Sequence, residues 1–266
     1  MPIKMSNGKT KVNFRFSTRI VAFSILALGL VSLAASAFYA STILAFIGLG
    51  LTFWGALLLY VTPTKYVKLE LLNAVAPSTL TNIEKILANS KLNEKGIYLP
   101  PKYLRDFESS LVYIPSKNNK ELPKPEEIDE EKLFSENPEG LFITPPGLAL
   151  SKLFEKELGT SFTKTDINYI QNNLPKLLIE DLEIAEDVEI EAMGDLITVK
   201  ITKHIFSGIC EETKKLPKTH EALGCPLTSA IACALAKTTG KPVTIEKEEQ
   251  VEDGKTTKIQ YRILED

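Results

Sequence analysis

Charge is missing from one long stretch of this 266-residue chain: no Lys, Arg, Asp, Glu or His lies between Arg19 and Lys65. An uncharged run of that length excludes an ordinary solvated surface there. Acids are also missing from the first 19 residues, which hold Lys4, Lys9, Lys11, Arg15 and Arg19. Cysteine is scarce. Cys210, Cys225 and Cys233 are odd in number and lack framework spacing, which excludes a secreted disulfide scaffold and fits a reducing compartment. Histidine is scarcer still, so any imidazole base or ligand is His204 or His220. A phosphate-binding Walker loop, a dinucleotide fingerprint and a serine nucleophile elbow are all absent, which removes the common sequence grounds for naming a reaction.

What fills the charge-free region is apolar. Residues 20–40 and 41–61 form two stretches of 21 residues each. At about 1.5 Å rise per residue, each spans a hydrocarbon core of roughly 30 Å as a helix. Bare backbone groups are costly in lipid, so helix is the required conformation. The join near Phe38-Tyr39-Ala40-Ser41-Thr42 leaves room for only a tight turn, hence an antiparallel hairpin. Small residues recur at four-residue steps, Ser32, Ser36 and Ala40 on one helix and Gly48, Thr52 and Ala56 on the other. Such strips let two backbones pack closely, although small residues are common in membrane helices anyway. Lys65 and Lys68 follow the second stretch. With basic flanks on both sides, the expectation is a multi-pass cell-membrane protein with both termini cytoplasmic. A cleaved signal peptide fits less well, because the first run is long and a second follows at once.

Removing the basic arm leaves 26 Lys and Arg against all 34 acids, a net of −8 on the rest. An acidic domain is a poor partner for nucleic acid, whereas the arm is drawn to anionic lipid. The expected organisation is an arm at 1–19, the two spans, and one cytoplasmic domain at 62–266. Within that domain the pattern predicts a helix over 77–92, with Thr81 and Glu84 at capping-box spacing. Short strands follow at 96–101 and 111–115, then an exposed polar loop over 117–139. Residues 140–146 repeat a Gly-apolar-Pro-Pro pattern seen at 96–101, which points to a paired structural role. Helices are expected at 147–158, from Thr165 or Asp166 to Leu174 with Pro175 as a kink, and briefly at 205–213. A hairpin joins 188–192 to 196–202. A helix from Cys225-Pro226 to Thr239 stops at Gly240, and strands at 242–249 and 256–264 flank a turn at 252–255. The fold class is α+β with a mostly antiparallel sheet.

Four features invite chemistry. Cys225 lies at a helix N-terminus, where the dipole favours thiolate, and His220 lies five residues upstream; together they make the candidate reactive thiol. His204, Cys210, His220 and Cys225 have the right donors for zinc but no chelating pair, so no metal is assigned. Ser229, Ala230, Ala232, Cys233, Ala234 and Ala236 make the last helix narrow, suited to close packing, to a dimer interface or to the wall of an apolar pocket. The acidic run Glu180, Asp181, Glu183, Glu186 and Asp187 reads as a solvated helix end.

Residues 224–263 resemble the end of the 4-vinyl-reductase-type domain, the small-molecule-binding family related to TRAPP trafficking subunits. The matching pieces are Cys225, Gly240, Val243, Glu246, Gly254 and Tyr261, within about 40 residues. The resemblance implies an α/β fold that dimerises and encloses an apolar ligand. Members often carry further cysteines on the final hairpin, where this chain has Glu and Thr, so no cysteine-dependent metal or redox role is carried over. The expectation is a membrane-anchored, non-enzymatic module binding a ligand or partner, with no cofactor. The alternatives are a cysteine-dependent enzyme acting near the membrane through Cys225 and His220, and an assembly factor for a membrane complex.

Overall fold

The computed structural model describes residues 18–60, 69–90, 92, 95–104, 109–117, 121–128, 132–251 and 255–265. The basic arm before Thr18, Lys65, Lys68 and most of the turn at 252–255 lie outside them. The chain divides into two units, Met1–Val67 and Lys68–Asp266.

The first unit is a helical hairpin of α1 (Thr18–Tyr39) and α2 (Thr42–Tyr60), each long and apolar enough to cross a membrane. Ala40 takes a left-handed conformation (φ 47°) at the turn. The Ser41 amide donates to the Ser36 carbonyl at 3.3 Å, and the Ser36 hydroxyl donates to the Ser41 carbonyl at 2.9 Å. Helix contact runs along small residues, but not quite those the four-residue steps select. A Cβ on Gly29 would lie 2.5 Å from the Thr52 amide nitrogen, one on Gly48 2.8 Å from Leu33, and one on Gly55 2.6 Å from Leu26. Buried Ala22 and Gly29, and buried Gly48 and Gly55, recur at seven-residue intervals, the period at which a seam stays facing its partner. Ser32 joins this seam by donating to the Leu44 carbonyl at 3.1 Å, and Thr52 donates back to the Gly48 carbonyl at 2.7 Å. Ala56 is exposed and faces away from it, and Ala40 belongs to the turn. The four-residue reading drifts off the contact line because 3.6 residues make a turn. Phe23, Leu28, Phe46, Phe53 and Trp54 point outward.

The second unit holds one antiparallel sheet of eight strands: β1 (Ile97–Leu99), β2 (Leu111–Pro115), β3 (Phe134–Glu136), β4 (Glu139–Ile143), β5 (Asp187–Met193), β6 (Leu196–Thr202), β7 (Val243–Gln250) and β8 (Thr256–Ile263). Their spatial order is β3-β4-β2-β1-β7-β8-β6-β5. The two Gly-apolar-Pro-Pro segments supply β1 and β4, which flank β2 on either side. Around the sheet lie α3 (Leu69–Asn89), α4 (Leu148–Leu158), α5 (Ile167–Lys176), α6 (Ser207–Lys214), α7 (Pro217–Leu223) and α8 (Pro226–Thr239). Asp166 caps α5 by accepting from the Tyr169 amide at 2.7 Å. Pro175, which has no N–H to donate, is followed by a π-helical turn at Leu177–Asp181.

Helix α8 is the hub. Every residue from Leu227 to Lys237 is buried, and the helix touches β1, β7 and β8 as well as α4 and α5. Its small side chains make that possible: a Cβ on Gly147 would fall 2.1 Å from the Ala230 nitrogen. Their role here is close packing inside the domain.

Two readings need correction. The stretch 117–139 is not simply an exposed loop. Ile128 is 4% exposed and joins Leu99, Tyr103, Leu104, Leu111, Tyr113 and Phe142 in a second apolar cluster, while Phe134–Glu136 forms the edge strand. Its polar composition hides these few anchoring residues. The helix expected at 77–92 starts earlier, at Leu69, and Glu84 does not cap it. Glu84 instead accepts from the Thr219 amide at 2.7 Å, the Thr219 hydroxyl at 2.9 Å and the Lys218 amide at 3.3 Å. It thereby caps α7, a helix the sequence pattern does not announce.

Candidate functional site

Strand β7 begins with Val243 and Ile245 facing the core, so strict alternation would turn Lys247 inward. A bulge between Ile245 and Lys247 interrupts the register with β8: Ile245 pairs with Tyr261, but Lys247 pairs with Gln260 and Glu248 with Ile259. The extra residue moves Glu248 onto the inward face beside Ile259 and Tyr261. Its side chain is only 4% exposed.

A buried carboxylate needs partners. Glu248 Oε2 accepts from the Thr228 hydroxyl at 2.9 Å, and Oε1 lies 3.3 Å from His220 Nε2 and 3.8 Å from Lys214 Nζ. Burial pushes the Glu248 carboxyl up, but the His220 hydrogen bond and charge, Thr228 and Lys214 outweigh it, so the group lies below its ordinary value. Glu248 therefore sits as an anion beside the first turn of α8.

Cys225 is the N-cap residue of α8, extended and without a side-chain cap bond. Its sulfur lies 3.3 Å from Thr228 Oγ1 and in hydrogen-bonding contact with the Cys210 thiol from α6. Burial raises the Cys225 thiol, while the hydrogen bonds from Cys210 and at Thr228 lower it and prevail. The Cys210 thiol is held well above its ordinary value by the bond to Cys225 and by burial. The structure thus brings Cys225 and His220 to one cluster but not to each other. Each reaches Glu248, Cys225 through Thr228 and His220 directly. All three cysteines are free and buried. Among the described residues, no group of three or more His, Cys, Asp or Glu is placed to hold a metal ion.

The frame around α8 includes paired polar groups. The Tyr98 hydroxyl has a single proton and lies 2.6 Å from the Leu223 carbonyl, which can only accept, so it donates there. Ser229 Oγ, 2.9 Å away, then donates to Tyr98 and accepts from the Gly147 amide at 3.1 Å. The Tyr261 hydroxyl donates to the Thr228 carbonyl at 3.0 Å. These bonds fix the helix against the sheet at the level of Glu248.

On the solvent side of Cys210 is an open cleft of about 360 Å³, lined by Lys203, His204, Ser207, Cys210, Glu211, Lys214, Gln250, Lys255 and Thr257. Lys203 follows β6 in a left-handed conformation (φ 48°), uncommon for a residue with a Cβ, and its amide donates to the Lys255 carbonyl at 2.9 Å. That turn delivers His204 to the cleft. His204 Nδ1 is buried with no hydrogen-bond partner, and burial lowers the imidazole below its ordinary value. Sequence reasoning placed His204 and Cys210 only in a discounted zinc set and passed over Lys203, Lys214, Lys255, Thr228 and Glu248. The signal that could have found Glu248 is a lone acid near the end of a strand whose first half is apolar. A second cleft of about 290 Å³ is lined in part by Lys95, His220, Glu246 and Glu248.

The family described as "Domain of unknown function (DUF7982)" matches residues 6–262, and the chain belongs to it. No curated protein and no solved structure matches the chain.

Proposed function

We propose that this member of the DUF7982 family is a non-enzymatic binding module, anchored in the cell membrane by α1 and α2 and carrying its ligand site on a cytoplasmic domain. The apolar hairpin supports the anchor, and the basic residues on both flanks support cytoplasmic termini. The observation that carries the binding reading is the cleft beside α6, lined by lysines from separate segments together with His204, whose Nδ1 has no hydrogen-bond partner. The polar lining favours a charged ligand over an apolar one. The resemblance of residues 224–263 to a small-molecule-binding domain points the same way as to role, and is also the basis for a homodimer or membrane-protein partner.

A cysteine-dependent enzyme is supported less well. Cys225 is 2% exposed, and His220 is committed to Glu248 rather than to the thiol.

Two measurements test the proposal on the full chain. Protease added to intact cells should leave the domain uncut, and salt washing should leave the chain in the membrane fraction. Native mass spectrometry of the protein in lipid nanodiscs should show a retained small molecule that the variant K203A/K255A loses. Cleavage from outside, release by salt, or retention unchanged by the double substitution would overturn it.

A further inference from the structure

We infer that the cleft beside α6 is a binding site for a phosphate group, held by Lys203, Lys214, Lys255, Ser207 and the His204 imidazole; this rests on the ligand-binding reading above and names the ligand's chemistry.

Four observations carry it. First, the charge is local. The chain beyond its basic arm has a net of −8, yet the lining of this cleft has three lysines against one carboxylate, Glu211. Second, two of these cations, Lys203 and Lys214, are only loosely paired. Lys203 pairs with Glu186, but both side chains are about half exposed, at 45% and 60%, where an ion pair contributes little. Lys214 stands 3.8 Å from Glu248, which has closer partners in Thr228 and His220. Third, His204 Nδ1 is a buried polar atom with nothing to bond. Leaving such an atom unsatisfied costs about 1–3 kcal/mol, and a turn of the ring that presents Nδ1–H to a bound oxyanion would remove that cost. Fourth, α6 starts beside it at Ser207 with no side-chain cap on its first turn. The Ser207 amide donates to the His204 carbonyl at 3.3 Å, and the next amides of that first turn have no intrahelical acceptor, which favours an anion nearby.

The donors come from three separate segments: the turn after β6, α6, and the start of β8 with its preceding residue Lys255. Several ammonium, hydroxyl and imidazole donors converging from different directions suit a tetrahedral dianion better than a planar monocarboxylate, whose two oxygens accept in one plane. The cleft is larger than phosphate alone, so the phosphate would be one end of a bigger molecule.

Such a phosphate can belong to a lipid headgroup or to a soluble metabolite, and the same spectrum separates the two. The chain has only two histidines, so ¹³C-histidine labelling of the full protein in phosphatidylcholine nanodiscs gives one signal from each. Inorganic phosphate added at constant ionic strength should shift the His204 signal, with His220 as the internal control. Nanodiscs containing phosphatidic acid should produce the same shift without added phosphate if the source is lipid, and leave it unmoved if the source is soluble. K203A/K255A should weaken phosphate binding by about tenfold or more while the His220 signal stays in place, showing that the domain is folded. A His204 signal unmoved by phosphate in either form, or phosphate binding unchanged in the double variant, overturns the assignment. If malonate moves His204 and phosphate does not, the cleft remains a ligand site and only its phosphate chemistry fails. Silence toward both removes the site itself.

Discussion

The Thr228 hydroxyl donates to Glu248 Oε2 at 2.9 Å, joining the first turn of α8 to the bulged half of β7. This is where the hub helix meets the one inward-facing carboxylate of that strand, so the bond ties domain stability to the cluster. Replacing Glu248 by Ala leaves the Thr228 hydroxyl and the His220 imidazole without their acceptor. Breaking a buried charged pair from one side costs about 3–5 kcal/mol. With His220 partly solvated, E248A is expected to cost about 3 kcal/mol and T228V about 1–2 kcal/mol. Denaturant unfolding of the full chain in detergent, run as a double-mutant cycle, measures both. Additive losses would mean that the two groups do not act together.

Acid should weaken the domain in two separable steps. His204 is depressed by burial, so the unfolded chain takes up a proton near its ordinary value of about 6.5 while the folded chain resists. Stability therefore falls as pH drops through that value, and levels off once the folded imidazole also protonates. Glu248, despite the burial that opposes its charge, is held below its ordinary value by His220, Thr228 and Lys214. Its contribution is fully present above about pH 4.3 and is lost as pH falls through the depressed folded value. Unfolding free energies measured from pH 8 to pH 3 should show both limbs. H204F should flatten the upper one and leave the lower; a profile identical to the parent would contradict the depression of His204 by burial.

Glu84 should matter to α7 more than to its own helix. Its carboxylate holds the Lys218 and Thr219 amides and the Thr219 hydroxyl, and Thr219 is fully buried. E84A removes an N-terminal cap and a favourable charge at the positive end of a helix, with an expected loss of about 1–2 kcal/mol. E84Q, which keeps an acceptor but not the charge, should recover about half. Hydrogen exchange read on α7 checks this. Loss of protection confined to α3 would show that the cap is not what Glu84 contributes.

The same residue shows what sequence could and could not reveal. Thr81 and Glu84 have the spacing of a local capping box, and nothing nearby says that the carboxylate is used by a helix more than a hundred residues away. Legible features were those set by short-range chemistry: the hairpin around Gly194-Asp195, the Asp166 cap, the start of α8 at Cys225-Pro226 and its stop at Gly240, and the mostly antiparallel sheet. The site was not legible, because it depends on a register shift. One added residue in β7 exchanges the inward places of Lys247 and Glu248, and alternation read along the strand carries no mark of it. The cleft was hidden for a related reason: its lysines are ordinary surface residues until β6, α6 and β8 bring them together.

Neighbouring residues in α2 give the last test. Gly55 is buried, and a Cβ there would lie within 2.6–2.9 Å of Leu26 backbone and side-chain atoms; Ala56, one position on, is exposed. G55L forces α1 and α2 apart along a backbone contact that no rotamer change relieves, at an expected cost of about 2 kcal/mol or more. G48L should behave alike, because Leu33 stands in its path. A56L adds apolar surface on the outer face and should be neutral. Thermal unfolding of the hairpin in micelles, followed by Trp54 fluorescence, ranks the three. Equal tolerance of G55L and A56L would show that the helices do not meet along the seven-residue line, whereas loss in A56L alone would restore the four-residue seam that the small residues first suggest.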